Sequence, residues 1–226
     1  LTTENFVRLL LKKNEMKLQA SSLLEIARTL QLTETDFVEL EKRYCPVPIR
    51  SEEDFFQLIL TIGNTEGEPG RAQEVVLDLE ERIAIVKHKL KFIDEHAKPG
   101  VVCLTGIHSL ELTDNPYWKT IIKVAGGKTY DIKQIDEAGF NPDILLIFGN
   151  PMEQLFEYLP RLLSLNEWRN TTAVKNNAVF LLNGKNHFQG LGLKLADDIE
   201  SLAEIFYPQQ LTYGRNGDTW IHFELN

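Results

Sequence analysis

Residues 140–150, FNPDILLIFGN, decide how this chain is read. An Asn-Pro-Asp turn leads into the apolar run Ile144 to Phe148, which stops at Gly149-Asn150. The run is far shorter than the roughly 20 residues needed to cross a bilayer as a helix. It is also too continuous for a strand with one wet face. Strands covered on both faces read this way, and they belong chiefly to parallel sheets flanked by crossover helices. Val101-Val102-Cys103-Leu104 and Ala178-Val179-Phe180-Leu181-Leu182 have the same character. Helical patterns separate them: Pro116 to Val124, closed by Gly126-Gly127, and Met152 to Leu165 despite Pro160. A last helix is expected from about Gly190 to Phe206, before Pro208. This alternation predicts an α/β fold, a small parallel-sheet lobe with crossover helices over residues 99–208. Ligands of such sheets bind outside the carboxyl ends of the strands, which makes Asn150 a candidate binding residue.

Upstream, apolar residues recur at Val75, Val76, Leu79, Ile83, Val86, Leu90 and Ile93. Steps of three and four predict a long amphipathic helix over 71–98, about 27 residues and roughly 40 Å. It lasts too few heptads to favour a coiled coil. Residues 1–69 read as mostly helical. Ser21 or Ser22 is the expected cap of one helix, Thr33 with Asp36 the capping box of another, and Ser51-Glu52-Glu53-Asp54 opens a third. At the other end, Leu211-Thr212-Tyr213 and Thr219 to Phe223 flank an Asn-Gly turn, which predicts a β-hairpin tail over 209–226.

The chain has 226 residues, 43% hydrophobic and 25% charged, with a formal net charge of −9. That balance is globular. Without a dense Lys/Arg block it argues against nucleic-acid binding, and no segment is expected to span a membrane. The first residue is Leu, so a processed or trimmed chain is expected, a removed signal peptide being one route to it. Cys45 and Cys103 read as separate buried thiols in preference to a disulfide. Phosphate-loop, nucleophile-elbow and metalloprotease motifs are all absent from the sequence.

From Pro46 to Pro208 the sequence resembles the class III, helical-backbone substrate-binding proteins of ABC importers. The 71–98 helix, led by Ile62-Gly63 and Ala72, matches the family's joining helix. WKTIIKVAGGKTYD looks like its helix ending in Ala-Gly-Gly, and FNPDILLIF like its Pro-Asp and apolar strand. EWRNTTAVKNNAVFLL and GLGLKLADDIESLAEIFYP resemble its later strand and closing helix. The resemblance implies a non-enzymatic, periplasmic or extracytoplasmic protein, with a lipid anchor as one option. It would capture cobalamin, haem or a ferric siderophore between two lobes and then dock on an ABC permease, with no intrinsic cofactor. The sequence departs from the family over 1–69, where a strand-rich first lobe would stand. A short or atypical N-terminal lobe, truncated or replaced, is expected there. The alternative is a non-catalytic interaction or scaffold module built on a lone second lobe.

Candidate site residues follow from position. His108, in the loop after the first strand of the lobe, is a candidate axial ligand to haem iron or cobalt; the competing reading is a surface-loop histidine. Tyr117, and His187 with Phe188 after the third strand, are candidates for an aromatic rim against a flat ligand, while Trp118 reads as core. His88 and His96 read as solvated. Glu153 is the candidate permease-docking acid. With Glu157 it could also form a general acid–base pair, but no nucleophile accompanies them and an enzyme is not expected. Asp197, Asp198 and Glu200 read as a solvated helix face.

Overall fold

The computed structural model describes residues 15–32, 37–105, 111–112, 115–130, 139–149, 151–152 and 155–224. In chain order the elements are β1 (Met16–Lys17), α1 (Ala20–Thr29), α2 (Phe37–Tyr44), β2 (Pro48–Ile49), α3 (Glu52–Thr65) and α4 (Pro69–Leu90). Then come β3 (Gly100–Thr105), β4 (Glu111–Leu112), α5 (Pro116–Val124), β5 (Lys128–Thr129) and β6 (Ile144–Gly149). The short helices α6 (Leu155–Ser164), α7 (Asn166–Arg169) and α8 (Thr172–Lys175) lead to β7 (Val179–Asn183), α9 (Leu195–Phe206) and β8 (Trp220–His222). The chain divides into two compact units, Leu1–Arg82 with Gly190–Ala196, and Ile83–Gln189 with Asp197–Asn226.

In the first unit β1 and β2 pair antiparallel, Met16 opposite Ile49. The cap of α1 is Gln19, whose side chain makes no capping bond; Ser21 and Ser22 lie inside the helix. Thr33 and Asp36 fall outside the described residues. Ser51 caps α3 as expected, taking the Asp54 N–H at 3.2 Å, and the Asp54 carboxylate takes the Arg50 N–H at 2.9 Å. Gly63 sets the approach of α3 to α4, because a Cβ there would collide with that of Ala72. The long helix ends at Leu90, earlier than its apolar stripe implied. Its 22 residues span about 33 Å. Beyond it the Asp94 carboxylate takes the His96 N–H at 2.8 Å, a local bond that competes with helix continuation.

The second unit is built on β3, β6 and β7, parallel neighbours in that order. β5 joins β3 in parallel, while β4 and β8 close the edges antiparallel. One face carries Val102, Leu104, Leu145, Ile147, Val179 and Leu181 against Leu155, Leu159 and Trp168 of α6 and α7. The alternate residues Val101, Cys103, Leu146 and Leu182 are buried on the other face. Gly127, Ile122 and Phe206 close over Val101 there. Burial on both faces is what the unbroken apolar runs demanded. Helix α5 has Pro116 in its first turn and Asn115 as cap. Gly126, at φ +87°, ends it in the left-handed conformation glycine tolerates best. Cys45 and Cys103 are both free; Cys45 is only half-buried. Burial pushes the Cys103 thiol well above its ordinary value.

Two expectations fail together. The face of α9 read as solvated, Asp197, Asp198 and Glu200, is buried, and so is Glu204 on the same helix. The predicted hairpin does not form either, since residues 211–215 make no strand and β8 pairs with β7, Leu182 opposite Trp220. The cause is shared. Glu204 accepts the backbone N–H groups of Tyr213, Gly214 and Arg215 at 2.8–3.0 Å, so those donors are committed to a carboxylate. The Arg215 guanidinium then bonds Asp197 at 2.8 Å and Glu200 at 2.7 Å. Replacing Glu204 by Ala strands three partly buried donors and is expected to cost about 1–3 kcal/mol in urea unfolding. Gln, which keeps one acceptor oxygen, should cost less. Equal, sub-kcal losses for both variants would show that the clasp contributes nothing.

Candidate functional site

The carboxyl ends of β3, β6 and β7 are Thr105, Gly149 and Asn183. Of the segments that leave them, the loop after β7 is the one whose residues are described throughout. Asn183 fixes its start, with Oδ1 taking the Lys185 N–H at 3.0 Å and Nδ2 donating to the Asp218 carbonyl at 2.9 Å. Gly184 donates to the Gly149 carbonyl at 3.1 Å, tying the loop to the end of β6. Gln189 donates back to the Gly184 carbonyl.

The loop is anchored by Asp198, in the first turns of α9 and fully buried. One carboxylate oxygen accepts from the Tyr117 hydroxyl at 2.5 Å and the Phe188 backbone N–H at 2.8 Å. The other lies 3.2 Å from Nδ1 of His187. Burial raises the Asp198 pKa above the ordinary carboxylate range, against the opposing pull of His187, Tyr117 and the Phe188 amide. Burial first, then the charge of Asp198, pushes the Tyr117 hydroxyl well above its ordinary value, so it stays a donor. Phe188 adopts φ +58°, costly for a non-glycine residue. Two contacts hold it: its N–H on Asp198, and its ring stacked on Trp118 at 5.4 Å and 14°. Trp118 in turn meets Phe148 edge-on at 5.3 Å.

Of the residues singled out in the sequence, the structure thus brings Tyr117, His187 and Phe188 together around one carboxylate. Tyr117 and Phe188 are each 2% exposed, so these rings pack inside the lobe and do not form an open aromatic rim. Trp118 is core, as expected. His187 keeps part of its surface, with a side chain 11% exposed. His88 and His96 are exposed, in line with the solvated reading. His108, Asn150 and Glu153 lie outside the described residues, as does the Glu157 side chain. A groove of about 350 Å³ in the first unit is lined by Thr29, Glu74, Val75, Asp78, Leu79 and Leu193; none of the candidates borders it. Asp198, read from the sequence as part of a solvated helix face, is instead the buried centre of this cluster. A signal was present in Asp197, Glu200 and Glu204, spaced i, i+3, i+7 along a largely apolar helix. Such a stripe beside Ile199, Leu202 and Ala203 leaves little of the helix that can face water. No group of three or more His, Cys, Asp or Glu side chains able to hold a metal ion occurs among the described residues. No described helix is long and apolar enough to cross a membrane.

Replacing Asp198 by Ala leaves three donors without an acceptor and is expected to cost about 3 kcal/mol or more. Tyr117→Phe removes one charge-assisted bond and should cost about 1.5–3 kcal/mol. Chemical denaturation checks the order; a loss below about 0.5 kcal/mol for Asp198→Ala would contradict the assigned network.

Neither a protein-family model nor a curated protein matches this sequence. Solved structures do match by fold. An ABC transporter substrate-binding protein from Listeria monocytogenes is 23% identical, with a TM-score of 0.59 over 70% of this chain and 66% of its own. IsdE of S. aureus, solved in complex with haem, is 24% identical, with a TM-score of 0.59 over 70% of this chain and 65% of its own. A periplasmic haem-binding protein from Pseudomonas aeruginosa is 20% identical, with a TM-score of 0.55 over 70% and 61%. The chain spans just under two thirds of the length of the first two. With its parallel β3-β6-β7 sheet, covered on both faces and preceded by the long α4, this chain carries the fold of the ABC-importer substrate-binding proteins.

Proposed function

We propose that this chain is the ligand-capturing component of an ABC-type importer, non-catalytic and extracytoplasmic, with a metal chelate of the haem, cobalamin or ferric-siderophore class as its cargo. The observation that carries this reading is the fold match to solved substrate-binding proteins, some of them haem-binding. Two features agree with it. The loop after β7 stands at the carboxyl ends of the parallel strands, where ligands of open α/β sheets bind. It is also pinned by a buried carboxylate and a stacked aromatic pair, so a ligand would meet a wall already in place, at little ordering cost. On this reading the cargo passes to a membrane permease, with Glu153 the proposed contact, and residues 1–69 form a short or atypical first lobe.

Titration with haemin, cyanocobalamin and a ferric siderophore, followed by visible absorbance and thermal unfolding, tests the proposal. A cargo present at 100 times its Kd should add about 2.7 kcal/mol, raising Tm by roughly 5–10 °C for a chain of this size. No shift with any of the three, at concentrations well above micromolar, would overturn it in favour of an interaction module.

A further inference from the structure

We propose that the turn after α4 is a docking surface for an anionic lipid membrane, with Phe92 entering the headgroup region and Lys87, Lys89 and Lys91 meeting the phosphates. This surface is independent of the cargo and of the importer reading. Phe92 is 86% exposed, where no other large apolar side chain among the described residues exceeds 57%. The turn that presents it is held by hydrogen bonds. The Ile93 N–H donates to the Leu90 carbonyl at 3.0 Å, and the Lys91 N–H to the His88 carbonyl at 3.3 Å. Leu90 is buried and Ile93 half-buried, so both tie the turn to the second unit while Phe92 projects.

Three lysines and no acid stand between Val86 and Ile93, in a chain of formal net charge −9. All three are exposed. Lys91 carries its ammonium 5.8 Å over the centre of the Phe92 ring, and Lys89 reaches the Gln210 carbonyl at 3.4 Å. The acids that follow are engaged close to home, Asp94 with the His96 amide and Glu95 with Lys98 at 2.6 Å. Bases in a last turn complement the helix dipole. That accounts for Lys87 and Lys89, but not for Lys91, past the helix end at Leu90, nor for an aromatic ring left in water.

A projecting ring among lysines matches a membrane interface. The ring enters the boundary between headgroups and acyl chains, and the ammonium groups stay at the phosphates. An acidic protein would have to supply a pocket for the ring, whereas a bilayer opens to receive it. Ring and charge each give weak attachment, and the two together reinforce one another. The turn leads into Gly100, at the amino end of β3. Attachment there leaves the carboxyl ends of the parallel strands facing solution.

Flotation with phosphatidylcholine vesicles, with and without phosphatidylglycerol, tests this on the wild type, Lys89→Gln, Lys91→Gln and Phe92→Ser. The control is Leu77→Ser, which removes an exposed apolar side chain elsewhere. The wild type and the control should float with the anionic vesicles and not with the neutral ones, and attachment should fade as salt rises from about 0.05 to 0.5 M. Each lysine variant should weaken it about five-fold, and Phe92→Ser about ten-fold. In Phe92→Trp, lipids brominated in the acyl chain should quench the added fluorescence. A wild type that fails to float, equal flotation with both kinds of vesicle, an unquenched Phe92→Trp, or an equal loss in Leu77→Ser overturns the assignment. Binding to an acidic protein with no binding to vesicles overturns it as well. The cargo titration is read separately, so the failure of one leaves the other standing.

Discussion

Helix α9 is buried on every side yet carries Asp197, Asp198, Glu200 and Glu204. An ionised carboxylate taken out of water costs several kcal/mol unless donors replace its hydration. Much of what is distinctive in the second unit follows from supplying those donors. Arg215 answers Asp197 and Glu200. Successive backbone N–H groups of the C-terminal segment answer Glu204. Tyr117, the Phe188 amide and His187 answer Asp198. Three segments distant in sequence are thereby fastened to one helix, and one of them is the loop at the carboxyl ends of the parallel strands. The apolar residues Ile199, Leu202 and Phe206 bury the helix; the acids decide what lies over it.

How much of this was legible in the sequence depends on whether the information was local. Ile144 to Phe148 declared a strand buried on both faces, because a five-residue apolar run leaves no wet side, and β6 lies between β3 and β7. Asn115-Pro116 and Gly126 marked the ends of α5, each acting through its own backbone. The acidic stripe of α9 was misread because its partners, Tyr117, residues 187–188 and residues 213–215, all lie outside the helix, and nothing within it names them. The hairpin failed for the same reason: Asn216-Gly217 is a sound local turn signal, but the Glu204 carboxylate outcompeted a strand partner for the N–H groups of residues 213–215. The early end of α4 was hidden as well, since the apolar stripe continues to Ile93 while Asp94 diverts the backbone.

For function the order of strength runs from fold to wall to atom. The parallel sheet and its covering helices are those of substrate-binding proteins from importers. The loop after β7 is the described part of the end where such sheets hold ligands. Within it, the aromatic residues first taken for a rim serve as props: Trp118 and Phe188 stack to hold a strained backbone, and Tyr117 holds a carboxylate. Among the described residues at this end of the lobe, these aromatic side chains serve rigidity.

Everything claimed for that end of the lobe depends on Asp198 as the anchor of its loop, and a carboxylate that accepts from Nδ1 holds the His187 ring in one tautomer. The direct measurement is ¹⁵N NMR of the His187 ring in the ligand-free protein at neutral pH. The account predicts a protonated Nδ1 and a bare, pyridine-like Nε2, with the pattern inverted in Asp198→Asn. A ring protonated at Nε2, or an averaged mixture like that of a free solvent-exposed histidine, would contradict it.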